Sequence, residues 1–116
     1  MAAIVRFSDG QRAAPYLKFT RAELNRLLGL YATRVMRGEW RDYAISLEPD
    51  RARFCVFRNA NDMPLFEIAK LGERKARAPL KDGRFVVMSR YRKLVDGQTL
   101  EDVLALFDRP LRLVTG

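Results

Sequence analysis

At Gly38-Glu39-Trp40 the hydrophobic pattern of the chain changes period, from helical spacing before it to strict alternation after it. A helix and a strand must meet there, so the chain can fold only into an architecture that holds both. The helical side is closed at each end. Thr20 is placed to cap the backbone N–H of Glu23, and Glu23 to reach back to that of Thr20, with Phe19 and Leu24 at the positions of a hydrophobic staple. Leu24, Leu27, Leu28, Tyr31 and Val35 then fall on one face, and Gly38 fits the left-handed position after the last turn, with Arg34 and Arg37 near the negative end of the helix dipole. Gly29 lies inside this helix at a cost of about 1 kcal/mol relative to alanine. It points away from the apolar stripe, where either a close neighbour or no neighbour at all would account for it.

Beyond the junction, Tyr43, Ile45 and Leu47 alternate with polar or small residues. Glu48-Pro49-Asp50-Arg51 has turn chemistry, and Ala52, Phe54 and Val56 alternate with Arg53, Cys55 and Phe57. Asn59 to Asp62 reads as a second turn and Leu65 to Leu71 as a third strand, with Pro64 at its start. Leu71 to Arg84 reads as a long loop, Phe85 to Arg90 as a fourth strand, and Leu94-Val95 as a short further one. Thr99 and Asp102 have cap spacing for a closing helix with Leu100, Val103, Leu104 and Phe107 on its apolar face, stopped by Pro110. Short turns force antiparallel neighbours. The expected fold is α+β, an antiparallel meander sheet of about four strands packed by an N-terminal and a C-terminal helix. Its expected limits are a poorly ordered arm over 1–15, within which Ile4 to Phe7 reads as a short strand, a single domain over 16–110 and a tail over 111–116.

Both faces of the sheet read as partly apolar, with Phe54, Val56, Phe66 and Ile68 on one and Cys55, Phe57, Leu65 and Val86 or Met88 on the other. One helix covers about one face. The other then calls for the second helix, the N-terminal arm or a second copy of the chain, which makes a homodimer through an apolar sheet face one of the expectations.

What the chain lacks excludes much chemistry. It has no histidine and one cysteine, so no Ser–His or Cys–His pair, no histidine-ligated metal, no intramolecular disulfide and no cysteine-cluster metal site. Its glycines form no phosphate-cradling motif. Glu67 and Lys70 are three apart, so on a strand they point to opposite faces and do not cooperate. No enzymatic activity and no cofactor or metal is expected. No apolar run approaches the roughly 20 residues of a membrane span, the start has no secretory pattern, and the single cysteine suits a cytoplasmic setting.

The net charge is +8, and its placement is uneven. Lys70 to Lys93 holds nine basic residues against Glu73 and Asp82, which is +7 of the total. Within it, Arg74, Lys75, Arg77, Lys81, Arg84, Arg90, Tyr91 and Arg92 are candidates for gripping an anionic partner, nucleic acid or an acidic protein, with Tyr91 stacking on a base. The competing reading is a solvated loop and an arginine-decorated strand edge on a homo-oligomeric structural or protein-interaction module. Arg37, Trp40 and Arg41 form a second candidate, either a recognition surface or a tryptophan closing the core over a helix end.

The blocks GEWRDYAI at Gly38–Ile45, RFCVFR, MPLFEIAKL and TLEDVLALFD, in that order, resemble a family of short bacterial proteins known only as a domain of unknown function. The resemblance covers about Phe19 to Arg109. It implies a single-domain cytoplasmic protein and supplies no catalytic residue.

Overall fold

The computed structural model describes residues 3–7, 16–59, 63–73 and 81–108. Helix α1 (Arg21–Met36) begins and ends where its caps require. Thr20 accepts from the Glu23 N–H, the Glu23 carboxylate accepts from the Thr20 N–H, and Gly38 takes φ +75° after the last turn. Helix α2 (Leu100–Asp108) is started the same way, with Thr99 accepting from the Asp102 N–H and Asp102 accepting from those of Gln98 and Thr99. Gly97 lets the preceding strand run directly under that first turn, since a Cβ there would stand 2.5 Å from the Cβ of Asp102.

Six strands form one sheet in chain order: β1 (Ala3–Phe7), β2 (Asp42–Leu47), β3 (Arg51–Phe57), β4 (Phe66–Glu73), β5 (Lys81–Ser89) and β6 (Arg92–Gly97). The strands β2 to β6 are the expected antiparallel meander, with five members rather than about four. The added one is β6, a full partner of β5, where the sequence suggested only Leu94-Val95. At the other edge β1, the short strand read at Ile4 to Phe7, lies parallel to β2, and α1 is the crossover that a parallel neighbour needs. The rest of the expected arm, the Asn59–Asp62 turn beyond Asn59 and the expected tail lie outside the described residues.

The loop expected over Leu71 to Arg84 is largely strand. Leu71 pairs with Arg84, Gly72 with Asp82 and Glu73 with Lys81, and a bulge between Leu71 and Gly72 absorbs the shift. Glycine suits the bulge, and its N–H bonds to the carbonyl of Asp50 in the β2–β3 turn at 3.0 Å. Density of charge masked this pairing, because alternating lysine, aspartate and glycine carries no apolar period.

Directly opposed residues share a face, so the register assigns the sheet's two sides. Ile45, Phe54, Ile68, Val87 and Val95 form a row on one side, flanked by Tyr43, Val56 and Phe66. Leu27, Leu30 and Tyr31 of α1 and Leu100, Val103, Leu104 and Phe107 of α2 join this side in a single core. Both helices therefore cover the same face. They are clasped across the chain by Arg26, which bridges Glu101 at 2.7 Å and Asp108 at 3.0 Å. The hydrogen bond to Glu101 raises the guanidinium's pKa further. Arg34 adds a second clasp, pairing with Glu39, donating to the Phe107 carbonyl and lying over the Phe107 ring.

Candidate anion-binding surface

No described element covers the other face of the sheet. Its rows are Ser46, Arg53, Ala69, Val86 and Asp96; Ala44, Cys55, Glu67, Met88 and Lys93; and Arg51, Leu71 and Arg84. The β3 to β6 members of these rows other than Cys55 and Asp96, with Met63 and Pro64 of the β3–β4 connection and the β5–β6 turn, shape an open groove of about 470 Å³. Its floor is apolar: Ala69 and Val86 are buried although no helix lies on them. Five basic side chains stand around that floor, Arg51, Arg53, Arg84, Arg90 and Lys93, against one acid, Glu67. The second face is thus partly apolar, as expected at Cys55, Val86 and Met88, with a basic rim around that apolar floor.

The five cations are not equally available. Arg53 lies between Glu48 at 3.2 Å and Glu67 at 3.5 Å, so much of its charge is met within the fold. Its buried Nε finds no hydrogen-bond partner among the described residues. Lys93 bonds to Asp96 at 2.8 Å, and this hydrogen bond holds the Asp96 carboxyl below its usual range. Arg51 stands 3.8 Å from Asp50, a loose pair at the rim. Arg84 and Arg90 make no ion pair or hydrogen bond among the described residues. Both are exposed; Arg84 is near enough to Asp96 to help hold its carboxyl down, and Arg90 has no counter-charge among the described residues.

Cys55 lies in the same sheet face but is buried, and burial, with Glu67 nearby, pushes its thiol up to about 11. It stays protonated at neutral pH. No group of histidine, cysteine, aspartate or glutamate among the described residues is arranged to hold a metal ion. Nor is any described helix long and apolar enough to cross a membrane.

The structure separates the residues singled out by sequence. Arg84, Arg90 and Tyr91 come together at the groove. Arg92 is exposed at the start of β6 and does not line it. Arg74, Lys75 and Arg77 lie outside the described residues, and of Lys81 only the strand position opposite Glu73 is described. Lys70, counted in the basic segment, points the other way. It is 2 % exposed, and its ammonium donates to the Lys18 carbonyl and to Glu23, each at 3.0 Å. Glu67 and Lys70 do sit on opposite faces. Arg37 and Arg41 are exposed at the α1–β2 junction, away from the groove lining. Trp40 between them is not a surface group. It is 3 % exposed and packs edge-on against Phe107 and near Tyr31 and Phe66, so it closes the core over the helix end.

Two members of the groove, Arg51 and Arg53, escaped the sequence reading. Their signal was spacing: two apart on a strand whose other face is Ala52, Phe54 and Val56, they must share the helix-free side. A charge count along the chain passes over them, because they meet Arg84 and Arg90 only through the register of three strands.

No curated protein and no solved structure matches the chain. A family pattern does, over residues 17–104, from the segment before α1 into the middle of α2. It covers most of the sheet and both helix starts, and the chain belongs to the family described as a protein of unknown function (DUF2794).

Proposed function

We propose that this chain is a small, non-enzymatic accessory protein of the cytoplasm that binds an anionic partner on the helix-free face of its sheet. The observation that carries the reading is the groove itself: five basic side chains against one acid around an apolar floor, with Arg84 and Arg90 exposed and in no ion pair or hydrogen bond among the described residues. A cleft lined by one sign of charge over low-dielectric walls concentrates ligands of the other sign. The missing catalytic groups support a binding role over chemistry, since a site without histidine and with an inert thiol has few means of moving protons at neutral pH.

The test is a titration of the purified chain with labelled polyanions at several salt concentrations. Binding is expected to weaken steeply with salt, as counterion release requires. Arg84→Ala with Arg90→Ala should lower the magnitude of the log–log salt slope by about 2, one for each lost contact. Because neither side chain makes an ion pair or hydrogen bond among the described residues, the double variant should unfold at nearly the same denaturant concentration as the parent. Absence of binding at low salt, or binding indifferent to the double substitution, overturns the proposal.

A further inference from the structure

Resting on that reading, we infer that the anionic partner is a single-stranded nucleic acid, which crosses the groove with one base stacked on Tyr91.

The β5–β6 turn has two residues between the paired Ser89 and Arg92, and both carry positive φ, 49° at Arg90 and 70° at Tyr91. Positive φ at both central positions is the tight hairpin geometry that asparagine and glycine satisfy without strain. A large side chain in the left-handed region is disfavoured, and such residues persist where the surrounding structure holds them. Among the described residues the fold makes no use of the two side chains. Tyr91 is 87 % exposed, and neither residue makes a hydrogen bond, ion pair or ring contact among the described residues. The strained turn therefore presents a bare aromatic ring and a bare guanidinium side by side on the rim of a basic groove.

That pairing selects among anions. An acidic protein surface or a simple polyanion would engage Arg84 and Arg90 and leave the ring idle. A duplex offers phosphates, but its bases are stacked on one another and closed to Tyr91. A single strand offers both groups at once, phosphates for the arginines and an exposed π-face for the tyrosine, and an apolar floor of Val86 and Met88 on which the strand can lie.

The experiment compares four probes on the full chain: a short oligothymidylate or oligouridylate, a duplex of the same length, inorganic polyphosphate and polyglutamate. The variants are Tyr91→Phe and Tyr91→Gly. The single strands should bind more tightly than the other three at matched salt. Tyr91→Phe should keep that affinity, and Tyr91→Gly should lose about tenfold for single strands and nothing for polyphosphate. Because glycine relieves the backbone, the Tyr91→Gly protein should also melt about 4 °C higher. Weaker binding by a more stable protein is a result no merely structural role for Tyr91 would give. If single strands and polyphosphate bind alike, or Tyr91→Gly leaves single-strand affinity unchanged, the inference falls while anion binding stands. A preference for polyglutamate makes the partner an acidic protein and also overturns it. Failure of every probe at low salt removes the anion-binding reading itself.

Discussion

Gly29 sits in the middle of α1, exposed, with nothing within 4 Å of where a Cβ would stand. Of the two accounts the sequence left open, the structure selects the one with no close neighbour. Gly29→Ala should therefore stabilise the protein by about 1 kcal/mol, the helix-propensity difference between the two residues. Urea unfolding is the measurement, and a lower midpoint would mean that the position is used. Cys55 gives a prediction in pH. Its thiol is raised from 9.0 to about 11 by burial first and by Glu67 second. The folded state thus holds a proton that the unfolded chain releases. The contribution is intact below the unfolded value and is lost as pH climbs towards the folded one, so stability falls between about pH 9 and 11, by roughly 2 to 3 kcal/mol from this group. Cys55→Ala should flatten that part of the stability profile. In the native parent protein, Cys55 should also resist a thiol reagent at pH 8 and react on unfolding.

At the scale of the element, Glu23 does two jobs. It closes the capping box of α1 and receives the buried ammonium of Lys70 from β4, so one carboxylate fixes both where the helix begins and how it sits on the sheet. Removing it takes a carboxylate partner from the buried ammonium. Glu23→Ala should destabilise the protein by about 3 kcal/mol, whereas in a Lys70→Met background the same change should cost about 1 kcal/mol, the value of a lost cap. A double-mutant cycle by denaturant unfolding measures the difference, and equal costs in the two backgrounds would show that the pair is uncoupled. The cap was legible because its residues are three apart and their geometry is local. The second job was not, because it depends on which residue of β4 faces α1. The same limit hid the arrangement of the helices. Alternation at Phe54 and Cys55 shows that a strand has two sides, and aliphatic residues on both sides say nothing of which one a helix will choose. Burial of Leu30 was missed for a related reason: with Leu27, Leu28 and Tyr31 around it, the apolar stripe of α1 is wider than the spacing alone requires.

For the molecule as a whole, charge was read along the chain, but it acts across the sheet. The window from Lys70 to Lys93 contains a core lysine and a strand-opening one, and it excludes Arg51 and Arg53. Only pairing β3 with β4 and β4 with β5 turns five residues scattered over Arg51 to Lys93 into one surface. The basic character was legible in composition and part of its address in the charge window, which held Arg84, Arg90 and Tyr91, but the positive-φ turn that displays Arg90 and Tyr91 was not.

The strands follow one another in space as they do in sequence, but the core they share is finished by α2, whose Leu100, Val103, Leu104 and Phe107 lie on strands made before it. Arg26 waits on the first helix for carboxylates 75 and 82 residues downstream. On a translating ribosome, then, the meander can zip up piece by piece under an α1 that is already made, while the part of the hydrophobic face beside β5 and β6 stays greasy and open to chaperones and to other nascent chains until α2 emerges to close it.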